Sequence, residues 1–394
     1  MTPAARVQAA IELLDLIIVA ARDGGAAADT LIARYFKDRR YAGSKDRRAV
    51  RELVYRAIRR HGERPESGRA AMLGLAGEDD ALAALFDGSP HGPAPILPDE
   101  QATPPSSLPA WVQPELAALV DAAEQPSLLV RAPLHVRVNA LKVARDDLIG
   151  HWPDAAPLAH LPHGIALPAG TDIERDPRLQ AGEVEVQDGG SQLIARACAA
   201  LPDMTVLDLC AGGGGKTLAL AADMAGKGRL IAADTVRDRL ARLLPRAERA
   251  GAAGMIETLL LDPGRETERL APLAGQCDIV LIDAPCSGAG TWRRNPEARW
   301  RLTPERLDRI IALQAHLLAL AAPLVKPGGR LVYAVCSLFD REGRAQVQQF
   351  VSSHPSWKAI QATVAGRPWG AGTLLTPYHD GTDGFFFAAL EKPC

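Results

Sequence analysis

Val206-Leu-Asp-Leu-Cys-Ala-Gly-Gly-Gly-Gly-Lys-Thr217 is the stretch on which the fold turns. A short apolar run ends in an acid, passes through four successive glycines and enters a helical pattern at Leu218–Met224. Consecutive glycines let the backbone approach a ligand closely and adopt φ > 0 where needed. A strand, a glycine loop and a helix in that order predict the first unit of a nucleotide-binding α/β sheet. Further apolar segments follow at Leu230–Ala233, Ile256–Leu261, Ile279–Ile282 and Leu331–Val335, separated by helical runs at Arg237–Ala250 and Pro304–Leu324. Alternation of this kind predicts a Rossmann-like α/β domain, a parallel sheet with helices on both faces. Ligands of such sheets sit at the carboxyl ends of the strands.

Three ligands compete for the loop. A Walker A motif needs a glycine where this chain has Cys210. A G-x-G-x-x-G fingerprint fails by one residue, ending on Thr217 from Gly212 or on Leu218 from Gly213. The S-adenosylmethionine site of a class I methyltransferase needs acids at successive strand ends. Asp208 precedes the loop, Asp234 closes the second strand to face the ribose, Asp262 follows the third to face the adenine amine, and Asp283 ends the fourth. The expected cofactor residues are therefore Cys210, Ala211, Gly212, Gly213, Gly214, Gly215, Lys216, Asp234, Asp262 and Asp283.

Working outward, 394 residues suggest two or three domains. Lys+Arg 45 against Asp+Glu 47 gives a net charge of -2, which excludes a uniformly basic nucleic-acid coat. No unbroken apolar run is long enough for a membrane span, and Leu13–Ala21 reads as an amphipathic helix interrupted by Asp15. Six cysteines without a Cys-x-x-Cys pair support neither a disulfide framework nor a zinc site, and the chain is expected to be cytoplasmic and metal-free. Residues 1–86 read as helices. They carry a basic cluster of Arg34, Lys37, Arg39, Arg40, Lys45, Arg47, Arg48, Arg51, Arg56, Arg59 and Arg60, opposed within the segment by Asp38, Asp46 and Glu52. That cluster is either a solvated helical face or a phosphate-contacting surface. Residues 87–109 form a Pro/Gly-rich linker, 110–186 a small α/β segment, and 187–394 the sheet domain.

Two cysteines fall at strand ends. Asp283-Ala-Pro-Cys286-Ser-Gly follows the fourth strand, and Val335-Cys336-Ser337 ends the fifth. Carbon 5 of cytosine is too weak a nucleophile to accept a methyl group unaided. A thiolate adding at carbon 6 converts the ring to an enamine whose carbon 5 can attack a sulfonium methyl. Such a base must be single-stranded or flipped out.

The chain resembles the RNA 5-methylcytosine methyltransferases of the RsmB/Nop2/NSUN type, and most of all the bacterial 16S ribosomal RNA enzyme. The residues that carry the likeness are Asp208-Leu-Cys210-Ala-Gly-Gly-Gly-Gly-Lys216-Thr, Asp283-Ala-Pro-Cys-Ser-Gly-Ala-Gly290 with Arg294-Asn295-Pro296, Tyr333-Ala-Val-Cys336-Ser and Asp383-Gly-Phe-Phe386. Upstream, Arg137-Val-Asn139-Ala-Leu-Lys142 and Gln187-Asp-Gly-Gly-Ser191 match as well. Gly43-Ser-Lys-Asp-Arg47 with Leu53-Val-Tyr55 resembles a NusB-like RNA-binding domain. The resemblance implies that Cys336 is the nucleophile, that Cys286 assists product release, and that Asp283 hydrogen-bonds the cytosine's polar edge. It also implies a ribosomal RNA substrate, with transfer RNA as the alternative, for a monomer working away from membranes. Three departures stand out: Gly212-Gly213 for Ala-Pro, Val335 for Thr and Gly343 for Asn. The rival reading is a non-catalytic RNA-binding ribosome-assembly factor.

Overall fold

The computed structural model describes residues 1–362 and 364–394. The chain forms two compact units, Met1–Val130 with Thr291–Arg306, and Arg131–Gly290 with Leu307–Cys394.

The first unit is built on four helices, α1 (Pro3–Asp23), α2 (Ala28–Lys37), α3 (Ser44–Arg60) and α4 (Gly68–Ala76). Thr2 caps α1 by accepting a hydrogen bond from the Ala5 N–H, and Gly24 ends it in the left-handed region. Val7, Ala10, Leu14, Ile17 and Ala21 recur at helical spacing and are buried. Residues 87–109 hold no regular element, as their composition predicts, yet they are not a loose tether. Arg69 forms an ion pair with Glu100 and donates to the carbonyls of Ala94 and Pro95. The Thr103 N–H donates to Ala70 O at 3.1 Å. Composition reveals the lack of secondary structure but not these anchors.

Residues 291–306 complete this unit from far along the chain. Arg299, 1% exposed, donates from Nη2 to the carbonyls of Ile58, Arg59 and His61, where α3 ends. Arg301 does the same for Ala20, Gly25 and Ala26 around the end of α1. Helix carboxyl ends leave orphan carbonyls and partial negative charge, so a guanidinium satisfies both at once. Burial pulls the Arg299 pKa down to about 9, and it remains charged at neutral pH.

In the second unit a small antiparallel sheet comes first. Its strands are β1 (Leu134–Val138), β2 (Ala156–Pro157), β3 (Gly164–Leu167) and β4 (Val184–Val186), in the order β2-β3-β1-β4. Val136, Val138, Ile165 and Val184 form its core with Trp152.

Among the described residues the main sheet has nine strands. They are β5 (Thr205–Asp208), β6 (Arg229–Asp234), β7 (Ile256–Leu260), β8 (Cys277–Asp283), β9 (Val325–Val335), β10 (Lys358–Ile360), β11 (Arg367–Trp369), β12 (Gly372–Leu375) and β13 (Phe385–Glu391). The order β11-β12-β13-β9-β8-β5-β6-β7 makes β5 through β9 parallel, with β13 reversed against β9. The five expected parallel strands are therefore all present. The carboxyl-terminal strands pair antiparallel and extend the sheet beyond the parallel one that alternation predicts, because Phe385–Leu390 is apolar throughout and shows no period that marks its direction. The order reverses between β5 and β8, and the crevice outside their carboxyl ends is where such sheets bind ligands. The helix Pro304–Leu324 is long and apolar enough by composition to cross a membrane, which a search for unbroken runs misses because Asp308 and Arg309 interrupt it. Here Leu307, Gln314, Leu317 and Leu318 of that helix are buried.

Candidate active site

The glycine loop begins where β5 stops. Gly214 sits at φ +85 and its missing Cβ would lie 2.1 Å from Leu243 Cδ1, so no side chain fits there. Gly212, at φ +56, takes a conformation that the family's alanine would strain. The departure at this position therefore has a backbone consequence, and the Gly212 N–H is spent on Asp234 Oδ2 at 2.9 Å. Asp234 Oδ1 accepts from the Val236 N–H at 2.8 Å. The carboxylate at the end of β6 is thereby fixed while its remaining lone pairs stay available.

The motifs upstream of the sheet hold this loop from behind. Arg137 Nε donates to Gln187 Oε1 at 2.7 Å, and Gln187 Nε2 donates to Gly215 O at 3.3 Å. Asn139 Nδ2 donates to Gly182 O and Ala250 O, the latter at the end of the helix Arg237–Ala250. From that helix Arg246 reaches Gly213 O and also Glu185 Oε2. Sequence reading singled out Arg137, Asn139 and Gln187 only by likeness. Glu185 and Arg246 carried no signal, since their pairing joins residues 61 positions apart.

A cavity of about 530 Å³ opens over the loop, within the usual range of small-molecule sites. Its lining includes Cys210, Ala211, Gly212, Gly213, Gly215, Lys216, Asp234 and Asp283. Gly214 shapes the turn without lining it. Asp262 is exposed and outside the lining; the Leu261 N–H closes on Asp234 O at 3.0 Å, and Leu261 and Glu266 line the cavity in its place. Asp208 is fully buried under the loop, with Oδ2 accepting from the Thr217 hydroxyl at 2.7 Å. Burial above all, with the nearby charges of Asp283 and Asp234, pushes its pKa up to about 7.

Lys216 Nζ lies 2.7 Å from Asp283 Oδ2 and 5.6 Å from the Phe385 ring centroid. Burial opposes its charge, but Asp283 outweighs that by charge and hydrogen bond, with the Cys336 sulfur adding to it, and the lysine pKa is raised. Cys286 and Cys336, both partly exposed, stand with their Sγ atoms 3.1 Å apart. The thiol contact, then burial, then the charges of Cys336 and Glu342 hold the Cys286 pKa well above its ordinary value. The Gly290 N–H donates to Cys336 O at 3.1 Å, and Gly290 O accepts from the Gly384 N–H at 2.8 Å. A Cβ on Gly290 would meet Gly384 O at 1.9 Å, which accounts for the glycine in each motif. Two other departures are accommodated by packing. Val335 is fully buried in β9 opposite Phe386, and a side chain on Gly343 would press on the Phe386 ring at 2.7 Å.

A doubly wound sheet, a glycine loop, a fixed carboxylate on the second strand and a cavity of this size define an S-adenosylmethionine-dependent methyltransferase. A family model described as 16S rRNA methyltransferase RsmB/F matches residues 196–391. Among curated proteins the chain is 34% identical over 304 residues to the probable ribosomal RNA small subunit methyltransferase B of Synechocystis sp., covering 73% of this chain and 67% of that one. It is 33% identical to ribosomal RNA small subunit methyltransferase B of Sodalis glossinidius, covering 72% and 65%. The matches thus span about two thirds of the length of these relatives. The fold matches the crystal structure of PH0851 with a TM-score of 0.76 over 100% of this chain and 99% of that one, at 23% identity. The chain belongs to the RsmB/F family of methyltransferases.

Proposed function

We propose that this protein methylates carbon 5 of cytosine in ribosomal RNA, with Cys336 as the nucleophile. The observation that carries the reading is the pair of thiols at 3.1 Å on the carboxyl ends of β8 and β9, beside the Lys216–Asp283 pair. Bound S-adenosylmethionine supplies an electrophilic methyl group; the loop 210–216 and Asp234 are the residues that would hold it. The Cys336 thiolate forms a bond to carbon 6 of the base, making carbon 5 electron-rich enough to take the methyl group. The carbon 5 proton then leaves to a base, the electrons return to the ring, and the Sγ–carbon 6 bond breaks. Cys286, kept as a protonated thiol, is placed against the Cys336 sulfur to assist that last step. Asp283 Oδ2 is held by Lys216, which leaves Oδ1 to accept from the cytosine amine. The ribosomal target is supported by the names of the relatives, and a cytoplasmic site of action by six free cysteines.

The test uses a small-subunit ribosomal RNA transcript and S-adenosylmethionine, with covalent complexes read on a denaturing gel. Cys336→Ala is expected to form no adduct and no 5-methylcytosine. Cys286→Ala is expected to stall as a covalent protein–RNA complex. An adduct formed by Cys336→Ala would overturn the assignment.

A further inference from the structure

Glu342 is 0% exposed, in the turn that follows the strand bearing Cys336. A buried carboxylate is costly unless its lone pairs are filled, and here they are. Oε1 accepts from the Ser287 N–H at 2.8 Å and from Gln314 Nε2 at 2.9 Å. Oε2 accepts from the hydroxyls of both Ser287 and Ser337, which lie 3.0 Å from each other. Each hydroxyl also accepts a backbone N–H, Ala289 onto Ser287 and Phe339 onto Ser337, so its single proton is directed to the carboxylate. Ser287 follows Cys286 and Ser337 follows Cys336. Gln314 Nε2 reaches Pro285 O as well, at 2.9 Å, and the Tyr333 hydroxyl donates to the Glu342 carbonyl at 2.7 Å. One carboxylate therefore grips both cysteine-bearing segments, alongside the Gly290 N–H that donates to Cys336 O.

We infer that Glu342 is a positioning residue that sets the spacing of the Cys286 and Cys336 thiols by holding Ser287 and Ser337 together. What that spacing serves rests on the reading of Cys336 as nucleophile; the clasp itself does not. The charge has a second consequence. The contact with Cys336 and burial chiefly raise the Cys286 pKa, and the charges of Cys336 and Glu342 add to them, so the Cys286 sulfur keeps its proton beside the attacking thiolate.

Diamide oxidation of the full-length protein reads the spacing without RNA or cofactor. Two thiols give up two protons and two electrons to diamide, which becomes its hydrazine, and one S–S bond forms between Cys286 and Cys336, quantified by peptide mass. Glu342→Ala and Glu342→Gln are expected to slow this at least about tenfold. Cofactor affinity by calorimetry should stay within about threefold, because Glu342 does not line the cavity. In Glu342→Gln the pH profile of iodoacetamide labelling at Cys286 should move to lower pH, as the thiol contact loosens and a negative neighbour is lost. Should Glu342→Ala fail to fold, Glu342→Gln and the Ser287→Ala/Ser337→Ala pair supply the comparison. Folded, cofactor-binding variants that oxidise at the wild-type rate would overturn the inference. A wild type that forms the disulfide quickly, slowed in the variants, but never an RNA adduct would support the clasp and remove Cys336 as nucleophile.

Discussion

The Lys216 ammonium and the Asp283 carboxylate meet at 2.7 Å, joining the first turn of the helix after β5 to the end of β8. Breaking such a pair from one side leaves a charge without its counterion, which costs about 3–5 kcal/mol when fully buried. Asp283 is one-third exposed, so the loss should fall below that range. Lys216→Met is expected to lower the melting temperature and to reduce methyl transfer at least about tenfold. Lys216→Met/Asp283→Asn should recover most of the melting temperature and none of the activity. Recovery of activity in the double variant would deny the pair a part in the reaction.

Asp234 offers a direct test of the cofactor site. Its carboxylate is fixed by two backbone N–H groups and faces the cavity. Asp234→Ala should weaken S-adenosylmethionine binding by roughly 1.5–3 kcal/mol, the usual loss for hydrogen bonds to a charged group. Isothermal calorimetry without RNA measures it. Tight ATP binding with no S-adenosylmethionine binding would return the loop to a P-loop reading.

Asp208 should make stability depend on pH. Its folded pKa of about 7 lies above the ordinary value of 3.8, so between those limits the unfolded chain releases a proton that the folded chain keeps. The contribution is full below the lower limit, falls as pH rises through the window and is lost above about 7, at about 1.4 kcal/mol per pKa unit. Asp208→Asn keeps an acceptor for Thr217 and does not titrate. Its melting temperature should stay flatter than that of the wild type from pH 5 to 8 and exceed it at pH 8. Parallel curves would place the buried charge elsewhere.

The basic helices are divided by their partners. Arg39, Arg51, Arg56 and Arg60 pair with Glu12, Asp29, Asp79 and Glu78. Arg34, Lys37, Arg40, Lys45 and Arg48 are exposed and make no ion pair among the described residues. If these meet phosphates, reversing Arg40, Lys45 and Arg48 to Glu should weaken RNA binding and flatten its dependence on salt, leaving cofactor affinity alone. Filter binding across a salt series checks this; an unchanged slope would leave a solvated face.

The sheet was legible because period and spacing are local properties. Asp208, Asp234 and Asp283 fall at strand ends that the apolar runs delimit, and Gly214 follows from the loop itself. What sequence could not show depends on distant partners. Asp262 obeys the spacing but lies two residues beyond β7 and exposed, while its neighbour Leu261 lines the cavity. Glu342 is one of several charged residues in Asp340-Arg-Glu-Gly-Arg344, and only folding brings Ser287 and Gln314 to it. The boundaries drawn at residues 86 and 109 followed composition, which is blind to a salt bridge such as Arg69–Glu100 or to Arg299 under the end of α3.

Arg299 and Arg301 also bear on how the chain is made. The helices of the first unit leave the ribosome early, but the guanidinium groups that cap α1 and α3 are translated only with residues 291–306. At roughly 5–20 residues per second the completed helices wait on the order of ten seconds or longer for their last pieces. During that interval the nascent segment holds unpaired carbonyls and lacks Trp300, which packs in its core and donates to His61 O at 2.8 Å, so a graft that ends at residue 130 is an incomplete module.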